Sequence, residues 1–494
     1  MKFKFLYYLT FSLLLISSCR QTDLTVVRSE AITVSPSDEA RPITSVAPQK
    51  IRIGELERIV GFDPLFAQHN SNHRVLQLIF EGLVGFDADG NIIPNLAKEW
   101  EVSEDSLLFT FKIHSDARFQ DSAAFIDGKG RAVTARDVYE NFRRMTDPTV
   151  PPTAANIFSD VIQGFDAYNR ERREVFISTD RSLNTIQGIQ VVDNQTISFV
   201  LTKQAKNFLE LLAGPFALIY PFELSARLND RPIGSGPYML SRVQADTLIT
   251  LDKSPVYWKT SYSNTIQSVD FRRFKSDSDI LRAVANRQVD LIPELNPNSR
   301  IQLTTDKLTL KDDFTNDFNL TSTEGNDYSK LVFNPLNGYG LDINNQNLIL
   351  KYVNPDSLNS LIRQSGIEFD RWPYSSSTVP MDTSLDKDKV TLAFAGENAS
   401  GYLARNIYYL ADNRLPLTLV KSNVISREIT WAIIYENGMI SRSNVSRQPL
   451  LEIARFSNPR YAIMNNLVSN LSLNSHPWWL NLDRVNIRLS GNVQ

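Results

Sequence analysis

Residues 72–91 read NHRVLQLIFEGLVGFDADGN, and the stretch changes character twice. From Asn72 to Phe80 the apolar residues fall at helical spacing. Gly82, two residues on, can stop a helix, because a residue without Cβ adopts the left-handed cap freely. Val84-Gly85-Phe86 is apolar and short, and Asp87-Ala88-Asp89-Gly90-Asn91 is dense in turn formers. That order reads as strand, tight turn, strand. A helix that runs straight into a hairpin points to a mixed body, neither all-α nor all-β.

The alternation continues on both sides. Ile51-Arg52-Ile53-Gly54 reads as a first strand, and Gly61-Phe62-Asp63-Pro64 as a turn. Leu107–Ile113 alternates strongly. Thr134 is placed to cap a helix, with Asp137 at the capping-box position, and that helix ends near Asp147-Pro148. Ile189–Val192 and Gln195–Val200 form a hairpin around Asp193-Asn194. The loop Gly234-Ser235-Gly236-Pro237 needs glycines for backbone angles that other residues avoid, and Pro237 fixes the entry to a strand. Asp277–Asn286 reads as a helix and Val289–Ile292 as a strand. Strands alternating with helices make the fold class α/β. No repeat at a fixed period is visible, which disfavours solenoids and propellers.

Composition narrows the function classes. The chain has 494 residues, with Lys+Arg 52, Asp+Glu 55 and a net charge of −3. There is no basic excess to suit nucleic acid. At roughly 150 residues per domain, about three units are expected. A single cysteine allows no intrachain disulfide, no CxxC redox site and no thiolate zinc site. Four histidines, His69, His73, His114 and His476, are few for an imidazole metal centre. His69 and His73 stand at i,i+4 without an HExxH context. Asp87-Ala88-Asp89-Gly90 lacks the later glutamate of a calcium loop, and the Gly234 loop is neither a nucleophile elbow nor a phosphate loop. No catalytic set is visible, so a non-enzyme is expected, with no cofactor and no metal.

The cysteine's position says more than its count. Residues 1–18 hold Lys2 and Lys4, then an apolar stretch from Phe5 to Ile16, too short for a membrane-spanning helix. Ile16-Ser17-Ser18-Cys19 follows and resembles a bacterial lipobox. The resemblance implies cleavage before Cys19 and acylation of Cys19, which anchors the chain to a lipid bilayer. The plainer alternative is an ordinary export signal that happens to contain a cysteine. Residues 19–50, rich in Ser, Thr, Pro and Ala, read as a flexible tether.

Five segments together resemble the bacterial family 5 extracellular solute-binding proteins, the oligopeptide/dipeptide/nickel-binding type that feeds ABC importers. Phe80–Asp87 is similar to that family's "YEGL-x-x-F/Y-D". Pro94–Ser103 is similar to "P-x-LA-x-SWEVS". Phe109–Ile113 through Asp121, with Val133–Val138, is similar to "YTF-x-LR-x-G-V-x-FHDG" and "lTA-x-DV". Ile233–Tyr238 is similar to "P-x-GTGPY". Pro255–Trp258 and Asp290-Leu291 are similar to "NPDYW" and "G-x-VD". Trp100, Tyr257 and Trp258 are read as packing residues of the core rather than ligand contacts.

The resemblance implies a two-lobed, periplasmic-binding-protein-like α/β fold of type II with an extra subdomain, hinged around a central cleft. The implied division is 51–85, 186–275 and 465–494 for lobe I, 86–185 for the extra subdomain, and 276–464 for lobe II. It implies capture of a small molecule or peptide by hinge closure, an ABC permease complex as partner, a monomer, and a lipid-anchored place in the cell envelope. His69, His73 and Asn70, near the early loop at Asp63-Pro64, are candidate ligand contacts. Arg371, Trp372 and Tyr374 are candidates from lobe II, where an Arg beside aromatics suits a carboxylate next to an apolar group.

The sequence also departs from the family. Leu348–Leu358 is a weak version of "VRKAIAYAIDREAI", and the later "W-x-x-DYPDP" is not recognisable. In peptide-binding members an acidic residue of lobe II pairs with the ligand's amino terminus, and no position here matches it. A short, divergent lobe II leaves a second expectation open: a solute-binding fold that serves envelope interaction or sensing without transport.

Overall fold

The computed structural model describes residues 49–67, 69–245, 247–323, 327–334, 349, 352–371, 390–394, 399–411, 415, 417–422, 429–437, 451–474 and 476–488. Cys19, the tether up to residue 48, Trp372 and Tyr374 lie outside them.

The first strand, Gln49–Glu55, lies inside a seven-stranded sheet. Ile51 and Ile53 are fully buried in it. It runs parallel to Ile266–Arg273 on one side and to Leu291–Ile292 on the other. Leu248–Lys253 and Tyr238–Gln244 extend the sheet beyond Ile266–Arg273, and Arg460–Asn465 and Phe318–Thr323 extend it beyond Leu291–Ile292. Helix Asn70–Ile79 packs its Val75, Leu76 and Ile79 into the same core as Ile51, Ile53 and Val269.

A six-stranded sheet forms the second lobe, in the order Glu368–Arg371, Leu451–Ser457, Asp327–Phe333, Trp431–Asn437, Thr391–Phe394, Thr418–Lys421. Helices Pro355–Arg363 and Ala399–Ala411 bury Leu358, Ile362, Leu403 and Ile407 with Leu331 and Trp431. The extra subdomain is a four-stranded antiparallel sheet of Ala97–Val102, Leu108–Ile113, Thr196–Val200 and Ile189–Val191. Its core is aromatic: Phe142 lies 4.9 Å from Phe158 and 5.2 Å from Phe199, edge to face. Helix Ala135–Met145 starts on the expected capping box of Thr134 and Asp137.

The sheets divide the chain later than the expected boundary at 275. Leu291 pairs with Ile53 and with Met464, and Phe318–Thr323 pairs with Arg460–Asn465. The change of sheet falls between Thr323 and Asp327 on the way out, and between Ser457 and Arg460 on the way back. The extra subdomain's sheet likewise runs on to Val200, past the expected limit of 185. Which sheet a strand joins depends on its long-range partner, and nothing local in Leu291-Ile292 names that partner.

Two glycine readings also change. Helix Asn70–Ile79 ends at Phe80 in extended conformation, not at a left-handed Gly82. Gly234 and Gly236 have no left-handed angle either. A Cβ on Gly234 would sit 2.0 Å from the Ile79 carbonyl oxygen, and one on Gly236 would sit 2.6 Å from that of Leu78. These glycines are needed for close approach. Their loop presses against the helix end, where Gly236 N–H donates to Ile79 O at 2.8 Å.

Candidate functional site: the cleft between the two sheets

Parallel strands deliver their carboxyl ends to one edge of a sheet, and open α/β sheets bind ligands there. Here Glu55 closes the first strand, Arg273 closes its parallel neighbour, and Glu294 follows Leu291–Ile292. From the second lobe come Asp327, Lys421 at the end of Thr418–Lys421, and Ala399, the first residue of helix Ala399–Ala411. The chain segment Asn458-Pro459-Arg460 joins the lobes. These residues, with Glu57, His69, Arg74 and Arg300, line one cavity of about 480 Å³. That volume falls in the usual range of small-ligand sites, about 300–1,000 Å³.

The hinge side is firmly tied. Asn458 N–H donates to Asp327 O at 2.9 Å, and its side-chain amide donates to Ser329 Oγ at 2.9 Å. The return segment at Asn458 is therefore tied to strand Asp327–Phe333 of the second lobe.

The lobe I wall is ionic. Arg74 donates Nε to Glu55 Oε1 at 2.8 Å and Nη2 to Glu55 Oε2 at 2.6 Å, and also donates to the Pro477 carbonyl. Its Nη1 lies 3.7 Å from Glu294 Oε2. Burial pushes the Glu55 carboxyl up, and Arg74's charge opposes that. His69 Nδ1 lies 3.5 Å from Glu57 Oε2, and that contact raises the imidazole pKa against desolvation. Cations line the cavity too: Arg300, Arg460 and Lys421. The site therefore offers both signs of charge to a ligand. Among the described residues, no group of His, Cys, Asp and Glu is arranged to hold a metal ion.

The expected contacts fare differently. His69 lines the cavity. Asn70 stands one step behind it, donating its amide to Glu294 Oε2 at 3.1 Å. Arg371 ends the edge strand Glu368–Arg371, whose partner is Leu451–Ser457. His73 is fully buried against Phe216, with ring centroids 5.4 Å apart, and burial takes its pKa down to about 3. Trp258 and Tyr257 are packing residues: Nε1 and the phenol each donate to the buried carboxylate of Glu81, at 2.8 and 2.7 Å. Glu55, Glu57, Glu294, Arg300 and Arg460 were not anticipated. A usable signal existed in Gly54-Glu55-Leu56-Glu57-Arg58, where charge follows an apolar strand immediately.

Two lobes, two crossings and a charged cavity at the strand ends describe a hinged solute-binding protein. The fold agrees with solved structures of that class. A Helicobacter pylori ABC transporter-associated periplasmic binding protein DppA, in complex with the peptide STSA, matches 89% of the chain and 98% of its own, with TM-score 0.66 and 16% identity. Haemophilus influenzae OppA in complex with RPPGFSPFR matches 90% and 99%, with TM-score 0.68 and 14% identity. In sequence, residues 91–351 match the model of the bacterial extracellular solute-binding proteins, family 5 (middle). The chain belongs to that family. Di/tripeptide-binding protein 1 of Pseudomonas aeruginosa is 30% identical over 217 residues, 40% of this chain and 36% of the relative. Periplasmic oligopeptide-binding protein OppA of Escherichia coli is 22% identical over 262 residues, 52% of this chain and 45% of the relative. The aligned part spans about a third of the length of the di/tripeptide-binding relatives.

Proposed function

We propose that this protein is the ligand-capturing component of an ABC importer and that its ligand is a short peptide. It binds by hinge closure and performs no chemistry. The observation that carries the reading is the charged cavity lined from both lobes, beside the tie of Asn458 to the second lobe's strand Asp327–Phe333. A ligand that touches both walls favours the closed state by its differential contacts. Both signs of charge in one cavity suit a zwitterion, as a peptide is. The peptide-binding relatives and peptide-bound structures support the same class. We further propose that the chain is exported, lipid-anchored through Cys19, and works in the cell envelope beside a membrane permease.

The test is thermal. Di- to pentapeptide pools, added to purified protein, should raise the unfolding temperature by ligand linkage. Small-angle scattering should show the molecule contracting with the same pools. A molecule that neither shifts nor contracts with any pool would favour the alternative, a solute-binding fold that has left transport.

A further inference from the structure

A second cavity lies outside the cleft. It measures about 420 Å³, within the range of small-ligand sites, and shares no lining residue with the cleft cavity. The end of helix Ala135–Met145, helix Phe165–Glu174 and the segment from Tyr220 to Ala226 contribute its walls. Four arginines line it, Arg143, Arg144, Arg172 and Arg181, against two carboxylates, Glu140 and Asp147.

Most of these charges pair off. Arg143 donates Nε to Glu140 Oε2 at 2.6 Å. Arg144 donates Nη1 to Asp63 Oδ1 at 2.9 Å. Asp147 has Arg173 beside it as well as Arg144, and its Oδ1 accepts the Thr149 N–H and hydroxyl at 2.8 and 2.6 Å. Arg172 and Arg181 are left over. The bonds they make go to backbone carbonyls: Arg172 to Leu183 at 3.1 Å, and Arg181 to Val175 at 2.9 Å and to Arg172 at 3.4 Å. Among the described residues no carboxylate forms an ion pair with either. Glu171 lies close enough to feel the charge of Arg172, but its oxygens accept from Ser182 and Leu183.

Two donors at the cavity also lack an acceptor. Arg172 Nε is buried without a partner. Tyr168 is 1% exposed, and its hydroxyl makes no hydrogen bond, although Arg143 stands beside it. A guanidinium can only donate, so Arg143 leaves the phenol's own proton unaccepted. The guanidinium carbon of Arg172 lies 4.5 Å over the Tyr168 ring, which brings the two donors together. Two surplus positive charges and two unused donors suit an anion with several oxygens and about two negative charges. A phosphate monoester has both, with a charge of about −1.5 to −2 at pH 7 and three terminal oxygens. A carboxylate brings one charge and two oxygens.

We propose that Arg172 and Arg181, with the Tyr168 hydroxyl, form a phosphate-binding site in the extra subdomain, separate from the cleft. The site does not depend on what the cleft binds. Phosphate on a free small molecule and phosphate in a lipid headgroup share this chemistry. Phe176 and Ile177, exposed in the segment between the two arginines, would add apolar contact in the second case.

The test uses the full chain carrying Cys19→Ser, so that no acyl chain holds it on a bilayer. Calorimetry with inorganic phosphate and with glycerol 3-phosphate, at fixed ionic strength, should show saturable binding. R172Q/R181Q should weaken it by about 10-fold or more, the size of a lost charge-assisted hydrogen bond. R172K/R181K should keep part of it. Glycerol 3-phosphate should also shift the Arg172 Nε–H signal in NMR spectra, which it would not do to an arginine with a purely structural role. Flotation with vesicles of phosphatidylcholine, alone and mixed with phosphatidic acid, separates the sources. Capture by the mixed vesicles that R172Q/R181Q abolishes assigns the site to a headgroup; phosphate binding without capture assigns it to a free ligand. If neither phosphate probe binds and no vesicle captures the chain, the proposal is overturned. Binding by R172Q/R181Q at wild-type strength overturns it too. If R172Q/R181Q does not fold, the wild-type Nε–H signal decides, and an unmoved signal overturns the proposal.

Discussion

Arg74 grips Glu55 through two hydrogen bonds, at 2.8 and 2.6 Å, with the two side chains 2% and 4% exposed. The pair joins helix Asn70–Ile79 to the end of the first strand, and Arg74 adds the Pro477 carbonyl far along the chain. Breaking such a pair from one side leaves the other charge buried and uncompensated. Arg74→Leu should therefore cost about 3–5 kcal/mol near pH 7. The deficit should also depend on pH. Burial already raises the Glu55 carboxyl, and losing Arg74 raises it further. As pH falls through that raised value, Glu55 takes a proton and the penalty shrinks. Urea unfolding at about pH 7 and about pH 5 would check this; an equal deficit at both would contradict it.

How much of this could be read in advance depends on where the information lies along the chain. Helix Asn70–Ile79, the hairpin after it and the Thr134 capping box follow from residues within one or two turns of each other, and they formed close to expectation. The lobe boundary did not, because Leu291-Ile292 is assigned to its sheet by Ile53 and Met464. The site was legible only at His69. Its other members are ordinary charged residues that gain meaning by standing at strand ends that converge in space. Arg300 is the clearest case. In sequence it is an unremarked arginine after Pro297-Asn298-Ser299, and only burial with no carboxylate partner among the described residues marks it out.

His69 offers a local probe of the lobe I wall. Its contact with Glu57 raises its pKa above the ordinary 6.5. A histidine raised on folding adds stability that is fully present below the unfolded value and is lost as pH rises through the folded value. Both side chains are more than two-fifths exposed, so solvent screens the gain and it should be small. The NMR titration is the sharper measurement. His69 should titrate above 6.5, and Glu57→Gln should bring it down. Burial holds His73 down near 3 and His476 near 4, so neither should interfere around neutrality. A His69 midpoint at or below 6.5 would remove the Glu57 contact.

The anchor proposal has its own measurement. Two or more acyl chains on Cys19 would hold the protein on membranes stably, where one chain is marginal. Cys19→Ser should move it from the membrane fraction to the soluble fraction of its own cells. The folded part should keep its unfolding temperature, since its cores are built from residues beyond the tether. Membrane retention of Cys19→Ser at wild-type levels would sink the lipid anchor.

Glu81 tests the reading of Tyr257 and Trp258 as packing residues. Its carboxylate is 4% exposed and accepts one hydrogen bond on each oxygen, from the Tyr257 phenol and the Trp258 indole N–H. The two donors are not equivalent. An indole N–H can only donate, whereas a phenol can turn and accept. Glu81→Gln can therefore place its carbonyl oxygen toward Trp258 and its NH₂ toward Tyr257, keeping both contacts. Its cost should stay near about 1 kcal/mol. Glu81→Leu offers neither donor a partner and leaves the indole N–H stranded in an apolar interior. It should cost about 2–4 kcal/mol more. There is also a pH signature. Burial raises the Glu81 carboxyl above its unfolded value, so it weakens the fold as pH rises through that range. Glu81→Gln should flatten this part of the stability profile. Denaturation midpoints for the two variants across pH separate the outcomes, and equal losses in Gln and Leu would show that the hydrogen bonds carry little of the packing.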